Sequence, residues 1–429
     1  MSSILIKNAN IITIDPKRPR IEQNMSILIV DDKITKIDKN IKPLAKTEII
    51  DGTNKYVIPG MINGHTHIPM SFSRETIDGC KLQDWLYNHI LPRESKIVGD
   101  EWYWFSLLSD IECLRNGVTT VNDLYFECKH IVKAGNETGI NRIYSATLTD
   151  IDGKENGQRR INDLIKFFQD YPNELKTIGI HGLYTCSKEY CIEAAKLAKK
   201  LKCNLIHMHF CENTDEVKTI KKMHKVTHPS DCLVNYFKGF DLILAHCVKL
   251  DEQDFKCLKN IKASIITNPI SNARLGCGFA DIPKMRKCGI NVALGTDGQG
   301  SGSNLSILQS ARQVSWNCKC LYEDPTIITA YDTLKMATIN GAKAVHLEKT
   351  KGSLEVGKDA DVVIFNFKSI EMFPVNEVID DIVYNSTAND IETVIVKGKI
   401  VVKNSKHVSV NEKMIINKCT KLVEDLKKR

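Results

Sequence analysis

The feature that most constrains this chain is an alternation. Eight apolar, β-rich runs lie at 56–65, 117–124, 141–150, 177–186, 204–211, 242–249, 263–270 and 291–297, separated by stretches with helical spacing. Two of those stretches, 101–116 and 190–201, set apolar residues three and four positions apart, the period of an amphipathic helix. Eight β/α units over roughly 290 residues predict an α/β fold, a (β/α)8 barrel of the TIM type, rather than an open sheet.

The flanks read differently. Residues 1–55 and 353–405 carry β-rich pieces such as Ser26-Ile27-Leu28-Ile29-Val30 and Val394-Ile395-Val396, with turn residues (Asp15-Pro16, Asp31-Asp32) between the N-terminal ones. The N-terminal strands need partners, and the later ones supply them. The expected organisation is therefore a small discontinuous β-sandwich from 1–55 and 353–405, a catalytic barrel over 56–352, and a helical tail over 406–429. The tail spaces Ile415, Cys419, Leu422, Val423 and Leu426 as a packing face.

Composition removes several function classes. With 42% hydrophobic residues among 429, a large core forms and global disorder is excluded. The formal charge is +7, but the basic residues are scattered and not interleaved with aromatics, which argues against nucleic acid. No run approaches the ~18 apolar residues that span a bilayer, and Lys7, Asn8 and Asn10 interrupt the N-terminal apolar residues where a signal peptide would be continuous. Fifteen dispersed cysteines without a Cys-x-x-Cys suit free thiols in a reducing compartment, so a cytoplasmic protein is expected.

Polar residues fall where barrel strands should end, which is the face where such barrels build active sites. The first run closes on Pro59-Gly60-Met61-Ile62-Asn63-Gly64-His65-Thr66-His67. His65 and His67, two apart on a strand, share a face. Asn122 and Asp123 end the second run, and His181 lies in the fourth. The fifth carries His207 and His209 and is followed by Glu212; His246 lies towards the end of the sixth, Asn268 of the seventh, and Asp297 ends the eighth. One buried polar residue is usually structural; a ring of them at one rim is not.

His65, His67, His209 and Asp297 form a divalent-metal set of three nitrogens and one carboxylate, leaving a position for water. A bound cation lowers the pKa of that water from about 15.7 to ~7. Zinc is the default ion, and iron or manganese accept the same ligands. His207 shares a strand face with His209; we prefer His209 as ligand because it is nearer the strand end, with His207 a deeper, hydrogen-bonded core residue. Glu212 suits a proton shuttle, and His246 a group that orients or deprotonates water. Asp297 can accept the same proton. There is no His-Glu-x-x-His, no Pro-Cys-x-x-Cys, no P-loop and no Rossmann glycine motif.

These motifs, with His207-Met208-His209-Phe210-Cys211-Glu212, Leu244-Ala245-His246, Asn268-Pro269-Ile270-Ser271-Asn272 and Leu294-Gly295-Thr296-Asp297-Gly298, occur in the order of a known family. The chain resembles the amidohydrolase superfamily, specifically its 5'-methylthioadenosine/S-adenosylhomocysteine and 5'-deoxyadenosine deaminases, over nearly its whole length. The resemblance implies one metal, because the fourth run lacks the lysine that two-metal relatives carboxylate. It implies that His65, His67, His209 and Asp297 hold the ion and that Glu212 protonates purine N1. His246 with Asp297 would deprotonate the water, and ammonia would leave from C6.

Glu94, in Pro92-Arg93-Glu94-Ser95-Lys96, resembles the family glutamate that binds ribose hydroxyls, and His181 a histidine that contacts the nucleoside. Glu212 and Asp297 also face substrate by the same analogy. The implied partner is a small nucleoside, in a homo-oligomer, possibly tetrameric by analogy. Residues 68–100, with Trp85, form a candidate lid. Two stretches depart from the common pattern, 271–275 and 298–304, and neither is expected to touch the metal set. Rival readings are a guanine or cytosine deaminase, a triazine-type chlorohydrolase, or a non-enzymatic scaffold.

Overall fold

The computed structural model describes residues 2–75 and 77–429. Its barrel sheet has eight strands in sequence order: β1 (Met61–Thr66), β2 (Val118–Tyr125), β3 (Asn141–Leu148), β4 (Leu175–Gly182), β5 (Leu205–Phe210), β6 (Asp241–His246), β7 (Ala263–Thr267) and β8 (Asn291–Leu294). Each consecutive pair is parallel. Strands β1, β2 and β3 are buried at every position, as expected where helices cover one face and barrel interior the other.

The seam between β1 and β8 is bridged rather than laddered. The N–H groups of Thr296 and Asp297 both reach the His65 carbonyl at 3.2 Å, and Asn63 Nδ2 donates to Thr296 Oγ1 at 2.7 Å. The expected α/β barrel is therefore the observed fold, nearly closed, with His65, His67 and Asp297 beside its seam.

The run 56–65, read from sequence as one barrel strand, is two. Tyr56–Pro59 belongs to the small sheet, where it pairs with Val362–Phe365. Gly60 separates it from β1 because the chain there lies against Thr119; a Cβ at Gly60 would sit 2.1 Å from Thr119 Oγ1. The seventh run also stops early, at Thr267, since Pro269 opens a helical turn, Pro269–Arg274.

The second sheet interleaves both ends of the chain. Its order is Lys406–His407, Lys399–Lys403, Ile391–Val396, Val362–Phe365, Tyr56–Pro59, Ser3–Ile11, Glu22–Val30 and Lys33–Asp38, with Glu48–Asp51 pairing Ser3–Ile11. Its core includes Ile6, Ile11, Ile27, Ile29, Val57, Val362 and Ile395. Buried Asp361 joins it to the barrel. One carboxylate oxygen accepts from Lys351 at 2.6 Å and from Asn141 of β3 at 2.9 Å, and the other from the Lys397 N–H at 2.8 Å. The tail helix, Glu412–Lys428, buries Ile415, Cys419, Leu422 and Leu426; Cys419 lies against the Trp104 carbonyl of helix Glu101–Arg115. Among the described residues no helix is long and apolar enough to cross a membrane.

Candidate active site

Four side chains converge where β1, β5 and β8 end. The ligand-capable atoms of His65, His67, His209 and Asp297 all lie within 4.8 Å of one another. Asp297 Oδ1 is 3.0 Å from His67 Nε2 and 3.5 Å from His65 Nε2; His67 and His209 Nε2 are 3.2 Å apart. Each imidazole is oriented from its other nitrogen. His67 Nδ1 donates to the Leu124 carbonyl at 2.6 Å, and His209 Nδ1 to the His181 carbonyl. His65 Nδ1 meets His207 Nε2 at 2.8 Å, and His207 Nδ1 meets Ser145 Oγ at 2.9 Å. With the protons on Nδ1, all three Nε2 lone pairs point inward, the arrangement by which neighbours fix metal-binding histidines.

Asp297 is held in the same way. Ser271 donates to its Oδ2 at 2.8 Å and Ser301 at 2.6 Å, which leaves Oδ1 for the site. The expectation that 271–275 and 298–304 stand clear of the metal set is thus overturned, because each places a serine hydroxyl on Asp297. His65 Nε2 and Asp297 Oδ1 are both buried without a hydrogen-bond partner. Opposed buried lone pairs are costly alone and favourable around a cation. Burial lowers His65 to about 3, favouring the neutral form that a ligand needs. Burial alone would raise the Asp297 carboxyl, but the adjacent His65 and His67 rings hold it well below its ordinary value. The donor set fits a divalent cation.

The backbone turns left-handed where strands meet the mouth. Cys211 (φ 52°), His246 (φ 74°) and Asp297 (φ 61°) are non-glycine residues at positive φ. Such geometry survives only where surrounding contacts impose it, and it concentrates at functional sites. Buried Glu216 supplies one such contact: its carboxylate accepts the N–H groups of Cys211 at 2.9 Å and Glu212 at 2.7 Å, clamping the turn that presents Glu212.

Glu212, His246 and Asp297 offer atoms within 4.8 Å of one another. Burial first, and the charge of Asp297 second, push the Glu212 carboxyl well above its usual range. His246 Nδ1 donates to Asn272 Oδ1 at 2.8 Å, leaving Nε2 buried and unpartnered as a proton acceptor. Burial lowers the pKa of His246, favouring the neutral ring.

A cavity of about 890 Å³ leads outward from His67, His209, Glu212 and Asp297. That lies towards the upper end of ordinary small-molecule pockets. Trp85, Leu86, Ile90 and Trp102 give it an apolar wall, and Glu94, Tyr125, His181 and Arg160 also line it. The Tyr125 hydroxyl donates to Glu94 Oε1, and burial raises the Glu94 carboxyl. His181 Nδ1 lies 2.9 Å from Thr185 Oγ1, which gives its own proton to the Gly182 carbonyl; His181 therefore donates there and keeps Nε2 as an acceptor. The eight residues given site roles from sequence, His65, His67, Glu94, His181, His209, Glu212, His246 and Asp297, lie in this one region. Sequence reading missed the neighbours that orient them: Ser145, Glu216, Ser271, Asn272, Ser301 and Tyr125. The expected hydrogen-bonded core residue His207 backs His65 directly.

The amidohydrolase family model matches residues 56–401. The chain belongs to the amidohydrolase family. It is 37% identical over 437 residues, covering 100% of both chains, to the 5-methylthioadenosine/S-adenosylhomocysteine deaminase of Thermoanaerobacter pseudethanolicus. It is 36% identical to the 5'-deoxyadenosine deaminase of Methanocaldococcus jannaschii, over 90% of this chain and 92% of that one. Among solved structures, a zinc-bound adenosine deaminase from Xanthomonas campestris superposes with a TM-score of 0.92 at 23% identity, covering 100% of this chain and 99% of that one. A zinc complex of atrazine chlorohydrolase from Arthrobacter aurescens gives 0.90 at 21% identity, covering 98% and 100%. At those identities the likeness of this amidohydrolase to the solved structures speaks for the fold alone.

Proposed function

We propose that this amidohydrolase is a metal-dependent hydrolytic deaminase of adenosine-type nucleosides. Its substrates would be 5'-deoxyadenosine, 5'-methylthioadenosine, S-adenosylhomocysteine and adenosine, converted to the inosine analogue and ammonia. The observation that carries the reading is the gathering of the four-residue donor set, Glu212 and His246 beside a cavity that Glu94 also lines. The names of the two relatives support the substrate class.

Hydrolytic deamination adds water across C6 of a 6-aminopurine and expels its amine. It needs a proton delivered to N1, a proton taken from water, and a proton carried to the departing nitrogen. His65, His67, His209 and Asp297 would hold one divalent cation, which we assign as zinc, with iron or manganese as alternatives. That cation supplies Lewis acidity and makes water nucleophilic near neutral pH. Glu212, buried beside the set, protonates N1. His246, with Nε2 free, and Asp297 orient the water and take its proton. Glu94 accepts from the ribose hydroxyls, a pairing of one carboxylate with two donors. His181, which lines the same cavity, contacts the nucleoside. The barrel over 56–352 and the small domain of 1–55 and 353–405 would be the structural units, the latter extended by Tyr56–Pro59.

All fifteen cysteines are free in the structure, which supports assigning the enzyme to the cytoplasm, and we assign it a homo-oligomeric state, which light scattering measures. The test of function is a UV assay of the adenine-to-hypoxanthine change, with the four nucleosides side by side on metal-loaded enzyme. Conversion of at least one, lost in Glu212→Gln, is expected. No conversion of any of the four would overturn the nucleoside reading and turn the search to guanine, cytosine and triazines.

A further inference from the structure

Four groups of three or more metal-capable side chains occur among the described residues. Two of them share Asp297 and belong to the mouth. A third, His228, Asp251 and Asp254, is already committed to the fold. Asp251 accepts the N–H groups of Gln253 and Asp254, and Asp254 accepts those of Ser230 and Asp251. The fourth is Cys80, Asp84 and His89. Its donor atoms, a sulfur, a carboxylate oxygen and a ring nitrogen, also lie within 4.8 Å of one another. None of the three lines the cavity; Cys80 and His89 are half-buried and Asp84 is exposed.

The local fold explains why these three meet. Leu82–Asp84 is a short α-helical turn that widens into the π-helical turn Trp85–Ile90. Residues five apart fall on different faces of an α-helix, but the i→i+5 bonding of a π turn stacks them, which sets His89 over Asp84. Cys80 lies four residues before Asp84, just ahead of the helix, and its thiol donates to Asp84 Oδ2 at 2.8 Å. Asn88 Nδ2 donates to Oδ1 at 2.7 Å. Among the described residues no backbone N–H reaches this carboxylate, in contrast to Asp251 and Asp254. The Cys80 thiol first, and Asn88 second, hold the Asp84 carboxyl below its ordinary value, so it is charged.

We propose that Cys80, Asp84 and His89 form a second cation site, separate from the set at the mouth, for a borderline-soft divalent ion such as zinc. Thiolate, imidazole and carboxylate are the ligands such an ion takes, at about 2.0–2.3 Å, which sets ligand atoms roughly 3.3–3.8 Å apart. Binding removes the thiol proton: the S–H bond breaks, the sulfur electron pair goes to the metal and the proton goes to solvent. One thiolate and one carboxylate then balance the two charges of the ion, and water takes the fourth position. A site this open exchanges its ion, so dialysed protein keeps the mouth ion alone. When filled, the site ties Cys80, ahead of the π turn, to His89 near its end, and so braces the turn that carries Trp85, Leu86 and Ile90 in the cavity wall.

The experiment is a cobalt(II) titration of dialysed protein, read by the thiolate-to-cobalt charge-transfer band. The mouth set contains no sulfur, so cobalt taken up there gives no such band, and the result does not depend on what the mouth catalyses. Wild type should gain the band with one equivalent beyond the mouth's complement and release one proton with it. Binding should tighten about tenfold per unit rise in pH below the thiol's pKa. Added zinc should erase the band. Cys80→Ser should abolish it, and Asp84→Asn and His89→Ala should each weaken cobalt binding by more than the roughly tenfold that loss of a ligand's hydrogen-bond partner costs. Metal content at the mouth and circular dichroism should be unchanged in all three variants. Absence of the band in wild type, or its persistence in Cys80→Ser, would overturn the site. So would full affinity in both Asp84→Asn and His89→Ala, because the cobalt would then be held by a lone thiol.

Discussion

The chain builds two sheets, and they treat buried polar groups in opposite ways. At the junction of the small sheet with the barrel, a buried cluster of charges is matched. Lys351 is tied to Asp359 at 2.9 Å and Asp361 at 2.6 Å, and Asp361 takes two further hydrogen bonds. At the barrel mouth, His65 Nε2, His246 Nε2, Asp297 Oδ1 and Trp85 Nε1 are buried with no hydrogen-bond partner among the described residues. Both regions are well packed, so the difference is one of purpose. A group matched by the protein holds the fold; a group oriented by the protein at one end and left open at the other is waiting for something else.

The comparison makes opposite predictions for the two regions. The largest effect belongs to the mouth. Glu212→Gln should lower kcat by about 10²- to 10⁴-fold, the usual worth of a proton-transfer group, and leave the melting temperature nearly unchanged. A variant that unfolds instead would make Glu212 scaffold. Next comes the small sheet. Asp361→Ala leaves Lys351 short of a partner in a site where Asp361 is 5% exposed and Lys351 3%. It should cost about 3–5 kcal/mol in chemical denaturation, with the metal affinity of the folded fraction intact. Lost metal affinity at unchanged stability would blur the boundary between the regions.

Smaller effects sharpen the comparison within the mouth. Ser271→Ala frees one of the two hydroxyls on Asp297 Oδ2 and should weaken zinc binding about 10- to 100-fold in a chelator competition, with little change in stability. Glu94→Gln should raise KM for nucleosides roughly tenfold while moving kcat less, because the carboxylate acts on the sugar rather than the reacting carbon. A kcat loss as large as that of Glu212→Gln would place Glu94 in the chemistry.

The same division governs what could be read from the sequence. Barrel strands buried on both faces are rich in β-branched and apolar residues, so their alternation with helices was visible along the chain. His65 and His67 were legible as a pair because strand geometry alone puts positions two apart on one face. The break at Gly60 was not, since Tyr56 to Ile62 is apolar except at that glycine, and what divides it is the approach of Thr119 from β2. Ser271 and Ser301 were illegible for a related reason. A serine carries no signature of its own, and these two matter only because Asp297 turns at φ 61° and brings its Oδ2 to both. Trp85 was noticed as part of a long loop, but its open N–H exists only in the folded cavity.

The central claim is that the open polar atoms of the mouth are built for one divalent ion. The most direct measurement is metal content by mass spectrometry of the purified protein, wild type against Asp297→Asn, with circular dichroism on both. The account predicts about one zinc, iron or manganese ion per wild-type chain, loss of that ion in Asp297→Asn, and superimposable spectra. A variant that keeps its full complement of metal, or a wild type that deaminates with none, would contradict it.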